Sequence, residues 1–304
     1  MGVPRRSPRV KSVSGAQLPW VSPTGSAAVV IRWRCEHLFV QRNSSSSVEE
    51  GLMSGTSAIE WTEATWNPVT GCDRVSPGCA HCYALDLAER LKRMGQPKYQ
   101  RDGGKSSGPG FAVTLHPQTL ELPLRWKAPR VIFVNSMSDL FHEGVPFEFI
   151  EKVFDLMRRA DRHVFQVLTK RHERLSELAD QLDWPANVWM GVSIENRRFV
   201  HRADHLRTVP AVVRFVSAEP LLGPLADLDV GGIHWLIAGG ESGPQHRRVH
   251  PDWVRELRDR CVAERVPFFF KQWGGVRSKS GGRTLDGQLW SQMPDLSRAA
   301  AGVG

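Results

Sequence analysis

The sequence predicts an α/β fold, a full or partial TIM-like (β/α) barrel, and three observations lead to this prediction. Short apolar runs recur from about residue 59 onward, as parallel strands buried on both faces require. Amphipathic helical patterns lie between several of these runs, at a spacing of about thirty residues. Polar and charged residues follow directly after the central runs, and the carboxyl ends of barrel strands form the face where active sites are built.

Eight segments are candidates for the strands. The first lies around residues 59–65. The apolar runs that follow are FAVTL at 111–115, VIFV at 131–134, HVFQVL at 163–168, VWMGV at 188–192, VVRFV at 212–216, HWLIA at 234–238 and PFFF at 267–270. Eight strands would complete the barrel.

Four helices are predicted between these strands from apolar residues spaced three or four apart. Two of them begin at a proline, Pro146 and Pro251, which suits the first turn of a helix. The apolar faces of the other two are Leu175, Leu178 and Leu182, and Val200, Ala203 and Leu206. On the helix after Pro251, Cys261 shares a face with Val254 and Leu257, and we expect it to be a buried small hydrophobe.

Three of the five cysteines fall within the segment WNPVTGCDRVSPGCAHCYA at 66–84. Cys72, Cys79 and Cys82 form a CxxxxxxCxxC pattern on turn-forming residues that lead into a predicted helix. The first helical turn, where Cys82 is expected, favours thiolate. Three thiolates suit a soft metal, and the missing fourth cysteine leaves an open coordination position for chemistry.

Three interpretations of this pattern stay open. The thiolates hold an iron–sulfur cluster, or they hold zinc with His81 or a distant histidine as fourth ligand, or they are reduced and unligated.

The cysteine segment resembles that of the radical S-adenosylmethionine (SAM) enzymes, whose three cysteines hold a [4Fe-4S] cluster with one iron free to bind SAM. Their usual spacing is CxxxCxxC, so the longer first gap here is a departure. The stretch IEWTEATWNPVTGC, followed by SPGCAHCYA, is similar to a phage-associated three-Cys-motif family that is itself radical-SAM-like. This similarity runs from about Thr56 to about Gly275.

The resemblance implies a barrel of the radical SAM type, with the cluster loop after the first strand and with a [4Fe-4S] cluster and SAM as cofactors. An aromatic residue before the last cysteine often packs against the adenine of SAM in such loops. His81 holds that place here and Tyr83 follows, so we expect both to bind the cofactor. The resemblance also implies a flavodoxin- or ferredoxin-like electron donor, and family members are often encoded beside a partner protein.

Polar residues at the strand ends complete the predicted site. We expect Glu219, Glu241, Lys170 and Lys271 to act in catalysis. The glutamates would hold polar groups of SAM or substrate, and the lysines would pair with a carboxylate or phosphate. The further residues expected to bind the cofactor are Asn135, Ser193, Glu195, Gly239 and Gly240.

Charge and hydropathy narrow the possible partners. The net charge is +8, but residues 1–52 carry seven basic and three acidic residues, which leaves only +4 for the rest of the chain. Nucleic-acid binding is therefore possible but not signalled. No apolar run reaches the roughly 18 residues that span a bilayer. Because the thiols must stay reduced, we expect a cytoplasmic protein.

The chain divides by composition into three parts. Residues 1–55 are basic and rich in Ser, Pro and Gly, and we expect them to be a disordered extension. Residues 56–275 are expected to form the barrel, and residues 276–304 a C-terminal tail. Met53 lies just before the first patterned segment, which suggests the hypothesis that translation naturally begins there.

Two other functions stay open. The first is a zinc-stabilised, phage-related protein that binds nucleic acid without catalysis, through Arg197, Arg198, Arg202 and Arg207. The second is a barrel hydrolase in which carboxylates bind a metal and the cysteines are structural.

Overall fold

A sheet of seven parallel strands is the centre of this computed structural model, which describes Ser57 and residues 59–295. The strands are β1 (Ala64–Trp66), β2 (Val69–Thr70), β3 (Thr114–Leu115), β4 (Val131–Val134), β5 (Val164–Thr169), β6 (Val188–Ser193), β7 (Val213–Ala218), β8 (Trp235–Gly239), β9 (Phe268–Gln272), β10 (Thr284–Leu285) and β11 (Gln288–Leu289). The helices are α1 (Tyr83–Arg93), α2 (Leu122–Arg125), α3 (Phe147–Arg159), α4 (His172–Ala179), α5 (Arg202–Arg207) and α6 (Pro251–Ala263).

The main sheet has the order β1-β4-β5-β6-β7-β8-β9, and every neighbouring pair is parallel. A spatial order that follows the chain order is that of a singly wound barrel, because a doubly wound sheet reverses its order at a switch point. In the described residues β1 and β9 are not paired with each other, so the curled sheet is a partial barrel. The predicted (β/α) barrel is therefore confirmed in its partial form.

The prediction that FAVTL forms a barrel strand is wrong. Only Thr114 and Leu115 of this run form a strand, and they pair antiparallel with β2 in a separate two-stranded sheet. Phe111 is buried in a small cluster with Ala88 and Tyr99, beside the cysteine segment. Val113 and Leu115 pack against the large core instead, and a short apolar run does not reveal which core its residues join.

The two helix starts predicted at prolines agree closely with the structure, whereas Leu182 lies beyond the end of α4 and Val200 lies before the start of α5. Pro146 is the N-cap of α3, and Pro251 is the first residue of α6. Gly95, with a φ of +73°, follows the end of α1. Cys261 is fully buried in α6, as predicted. Among the helices that the structure describes, none is long and apolar enough to cross a membrane.

Alternate residues along the strands face two different cores. One face of the sheet packs in a large core shared with the helices. The inner face forms a second core of Trp61, Phe133, Trp189, Val213, Phe215, Trp235, Ile237 and Phe269. Its rings pack edge to face, with the centroids of Trp61 and Phe133 4.8 Å apart. The same alternation places Ser193 and Ser217 on the inner face, nearer the carboxyl ends of the strands.

Residues after β9 continue the folded region. The amide of Phe270 donates to the carbonyl of Trp290 at 3.0 Å, and Trp235 Nε1 donates to the carbonyl of Gln292 at 2.9 Å. Leu285 is fully buried. The predicted disordered extension at 1–55 lies outside the described residues, and the predicted domain boundaries stay predictions.

Candidate functional site

The cysteine segment starts close to the end of β1. Cys72 follows β2 and Gly71, whose φ is +89° and whose position leaves no room for a side chain. A Cβ at Gly71 would lie 2.2 Å from the carbonyl oxygen of Ala112, so only glycine permits this approach. Cys79 closes a 3-10 turn, and Cys82 is the N-cap of α1. The segment therefore leads from the carboxyl end of the first barrel strand into α1.

The three thiols are close enough to affect one another's ionisation. Burial, together with the nearby charges of Asp139 and Cys79, raises the pKa of Cys72 to about 12, although the Arg171 guanidinium opposes this rise. Burial also raises the pKa of Cys82, as does Cys79. Backbone N–H groups at the start of α1 lower the pKa of Cys82, the direction that the sequence predicts, but burial outweighs them.

Three thiolates are the type and number of ligands that a [4Fe-4S] cluster with one open iron takes. In the part of the chain that the structure describes, no three His, Cys, Asp or Glu side chains converge to hold a single metal ion. A [4Fe-4S] cluster does not require that convergence, because each thiolate binds a different iron. Nη1 of Arg171 pairs with Glu143, while its Nε and Nη2 are buried without a hydrogen-bond partner among the described residues, and the guanidinium lies beside Cys72. A cation at this position would stabilise the negative charge that three thiolate ligands bring to a bound metal group.

Glu195 follows β6 and is fully buried beneath the cysteine segment. Its carboxylate accepts hydrogen bonds from the Ser76 hydroxyl at 2.5 Å and from Arg202 Nη1 at 3.0 Å, and Lys170 Nζ lies 3.4 Å away. Burial by itself raises the pKa of Glu195, but the two cations and the hydroxyl lower it by more, so the group is ionised. A Cβ at Gly78 would lie 2.5 Å from Glu195 Oε1, which shows how closely the segment approaches.

Glu241, the residue after Gly240 at the end of β8, is also buried. Arg247 binds it through Nε at 2.8 Å and Nη2 at 2.5 Å. The same Nη2 donates to the carbonyl of Pro77 at 3.0 Å, and His81 Nδ1 lies 3.2 Å from Glu241 Oε2. Burial raises the pKa of Glu241, and the hydrogen bonds from Arg247 and His81 lower it by more. Glu241 is thus joined to the cysteine segment at two points.

Glu219 and Lys271 form an ion pair at the carboxyl ends of β7 and β9. Lys271 Nζ lies 3.2 Å from Glu219 Oε1, and Ser217 Oγ donates to the other oxygen at 3.3 Å. The side chains of Glu219 and Lys271 are 14% and 21% exposed, against 4% for Glu241. Of the predicted catalytic residues, this pair and Lys170, at 18%, are the more accessible to a ligand.

Gly239 and Gly240 are glycines because neighbouring groups occupy the space of a side chain. A Cβ at Gly239 would lie 2.5 Å from Glu219 Oε1, and one at Gly240 would lie 2.1 Å from the carbonyl oxygen of Trp273. The structure therefore explains both glycines by packing at the strand ends. Their predicted contact with a cofactor stays a prediction.

Asn135 and Tyr83 lie together at the end of β4. Asn135, with a φ of +60°, accepts a hydrogen bond from the amide of Val69 at 3.3 Å, while its Nδ2 is buried without a partner among the described residues. Tyr83 is 53% exposed, and its hydroxyl donates to the carbonyl of Ser136 at 2.6 Å. Tyr83 is the most exposed aromatic residue of the cysteine segment, and its predicted contact with the cofactor stays a prediction.

Several contact residues of the site are absent from the predicted set: Ser76, Gly78, Arg171, Arg202 and Arg247. One pattern would have found two of them. Each buried glutamate is followed six or seven positions later by the arginine that pairs with it. Ser76 and Gly78 have the sequence pattern of ordinary turn formers. The neighbouring sequence does not reveal that Ser76 contacts a residue 119 positions away.

The four arginines of the predicted nucleic-acid surface do not form one exposed patch. Arg202 is 2% exposed and donates to the carbonyl of Ser193, itself buried, at 2.7 Å. Arg197 and Arg207 both pair with aspartates. That leaves Arg198 as the member of this set without an ion pair in the described residues, so these residues offer little free positive charge to a phosphate backbone.

The fold and the site together define a partial (β/α) barrel with a three-cysteine segment at the carboxyl ends of its strands. The chain belongs to the family described as "Protein of unknown function (DUF5131)", which matches residues 56–294. No curated protein sequence matches the chain. The phage association and the three-Cys-motif family stay predictions.

Among solved structures, the chain is similar to spore photoproduct lyase. A cysteine-to-serine mutant of that enzyme matches at 13% identity with a TM-score of 0.41, over 69% of this chain and 63% of the lyase chain. A mutant with bound AdoMet and dinucleoside spore photoproduct matches at 13% identity with a TM-score of 0.39, over 70% and 64%. The chain therefore spans less than two thirds of the lyase chains that it matches.

Proposed function

We propose that the protein is a radical SAM enzyme in which Cys72, Cys79 and Cys82 hold a [4Fe-4S] cluster that binds SAM. One observation carries this proposal. The three thiols are neighbours at the carboxyl ends of parallel barrel strands, whereas the other described cysteine, Cys261, is buried in α6. When bound and reduced, such a cluster supplies the electron that cleaves SAM to methionine and a 5′-deoxyadenosyl radical, which takes a hydrogen atom from a substrate.

Buried cations would stabilise the thiolate form of the three ligands. Arg171 lowers the pKa of Cys72, and Lys170 lowers that of Cys82. Arg202 is near enough to Cys79 for the thiol's charge to affect the arginine pKa. Because burial keeps free thiols protonated, these cations reduce the cost of the deprotonation that metal binding requires.

The ion pair of Glu219 and Lys271 would hold the charged groups of a ligand. SAM carries an amino group and a carboxylate, and the pair offers a partner of the opposite charge for each. Both side chains are partly exposed at the mouth of the barrel, on the inner face of the sheet. Their positions suit the binding of SAM or of a charged substrate group.

Partners and location follow from this chemistry as proposals. The enzyme needs an electron donor, for which a flavodoxin- or ferredoxin-like protein is suitable, and a protein encoded beside it is a second candidate partner. Its thiols require the reducing conditions of the cytoplasm.

The direct test is reductive cleavage of SAM. Protein purified without oxygen and loaded with iron and sulfide is mixed with dithionite and SAM, and methionine and 5′-deoxyadenosine are quantified by mass spectrometry. We expect both products in equal amounts. Glu219→Gln and Lys271→Met should retain the iron and lose most of the cleavage, because they remove charges that bind the ligand and not the cluster.

The controls separate the cluster from the rest of the protein. Cys261→Ala should keep both the iron and the cleavage activity, whereas Cys79→Ala should lose both. A colourless protein that binds one zinc and yields neither product after cluster reconstitution would contradict the proposal and favour a zinc-stabilised protein.

A further inference from the structure

Two buried carboxylates of the site, those of Glu195 and Glu241, contact residues of the cysteine segment. Every carboxylate oxygen of Glu195 and Glu241 has a partner within the protein. We propose that these two residues are positioning residues that clamp residues 76–82 onto the barrel and so hold Cys79 in place relative to the other two thiols. That Cys79 is a cluster ligand rests on the proposed function, whereas the clamps themselves belong to the cofactor-free chain.

The first clamp connects β6 to Cys79 through one hydroxyl. Ser76 Oγ lies 2.5 Å from Glu195 Oε1 and 3.7 Å from Cys79 Sγ. The Ser76 carbonyl also accepts a hydrogen bond from the Cys79 amide at 2.9 Å. A movement of Ser76 would therefore move Cys79. Gly78 permits this contact, because any side chain there would meet the carboxylate of Glu195.

The second clamp connects β8 to the turn just before Cys79. Glu241 orients Arg247, whose Nη2 reaches the carbonyl of Pro77 at 3.0 Å. Glu241 also meets His81, the residue before Cys82. Because the guanidinium is a rigid fork, it binds the carboxylate and the carbonyl at the same time.

Two clamps hold the segment better than one. β7 lies between β6 and β8 in the sheet, so the segment is attached at two separate points and resists rotation as well as displacement. The Ser76–Glu195 and Pro77–Arg247 contacts join residues that are 119 and 170 positions apart in the chain. Within the described residues they also tie the segment that follows the first strand to the far half of the partial barrel.

The test uses the cofactor-free chain and the reactivity of single thiols. Ser76→Ala removes the hydroxyl of the first clamp, Ser76→Thr keeps it, and Arg247→Lys keeps the charge of the second clamp but loses the fork. Alkylation of Cys79 by iodoacetamide is followed by peptide mass spectrometry, with buried Cys261 as the internal reference. Thermal melting of each variant reports on the fold.

We expect Ser76→Ala and Arg247→Lys each to raise the alkylation rate of Cys79 about tenfold, since hydrogen bonds to charged groups are worth about that factor or more. Cys261 should stay unreactive, and Ser76→Thr should resemble the unaltered chain. An unchanged Cys79 rate in Ser76→Ala would overturn the proposal, as would a rise that Cys261 shares. The alkylation test involves no iron or SAM, so it detects the clamps even if the protein fails to bind a cluster.

Discussion

The Cys82 thiol is subject to two opposing effects, and their balance matters for metal binding. The start of α1 stabilises its thiolate through backbone N–H groups, while burial stabilises the thiol. Burial is the larger effect at both Cys82 and Cys72. The free thiols of Cys72 and Cys82 are therefore protonated at neutral pH, and a metal must displace these two protons when it binds.

Gly78 provides the sharpest single-residue prediction. Gly78→Ala should weaken the attachment of the cysteine segment, because its Cβ would lie 2.5 Å from Glu195 Oε1. We expect the variant to retain its fold but to bind much less iron on reconstitution, as measured by iron quantification per chain. Gly104→Ala is the matched control, since a Cβ there meets nothing within 4 Å. Equal iron content in the two variants would contradict the proposed contact.

The sequence predicted which side chains reach the mouth of the barrel but not how they pair. Glu195, Glu219 and Glu241 all follow strands, as the strand-end pattern indicates. Which of them is buried depends on where the cysteine segment lies. That segment contacts residues more than a hundred positions away in the chain. Local patterns carry no information at that range, so the role of each glutamate required the structure.

At the scale of elements, apolar runs predicted six of the seven barrel strands, and the segment predicted around residues 59–65 overlaps the first strand at Ala64 and Thr65. The FAVTL run failed because Phe111 packs beside α1 and Thr114–Leu115 pair with β2, so the run does not join the main sheet. The starts of α3 and α6 were predictable because proline acts locally on the backbone. Strand pairing depends on contacts between distant segments and was inferred only through the barrel pattern.

The antiparallel pair of β2 and β3 leads to a pH prediction through His116. Its Nε2 lies 2.8 Å from Thr70 Oγ1, and burial, with the nearby charge of Lys98, lowers its pKa from 6.5 to about 4. Above pH 6.5 the histidine is neutral in both states. As the pH falls towards 4, the unfolded chain binds a proton that the folded chain does not, so the free energy of unfolding decreases.

Urea unfolding at a series of pH values measures this effect. Between pH 6.5 and 4 the unaltered chain should lose on the order of 2–3 kcal/mol more than His116→Gln, which cannot titrate. His116→Gln keeps a polar nitrogen near Thr70 and serves as the reference for all other titrating groups. Parallel pH curves for the two proteins would show that His116 titrates normally.

At the scale of the whole described region, an open edge distinguishes this barrel from a closed one. β1 and β9 lack strand pairing to each other there, yet contacts cross between the two ends of the sheet. Lys279 Nζ lies 3.1 Å from Glu60 Oε1, and the rings of Trp61 and Trp235 pack with centroids 6.3 Å apart. The sequence allowed seven or eight strands because a run of apolar residues does not show whether its edges are paired.

The central claim is that three cysteines hold a SAM-binding cluster, and EPR spectroscopy of the reduced protein tests it most directly. Residues 53–304 are purified without oxygen, reconstituted and reduced, and spectra are recorded with and without SAM beside iron and sulfide quantification. The account predicts about four irons per chain, a signal that SAM alters, and loss of that signal in each of Cys72→Ala, Cys79→Ala and Cys82→Ala. A full iron complement in all three variants, or a spectrum that SAM leaves unchanged, would contradict it.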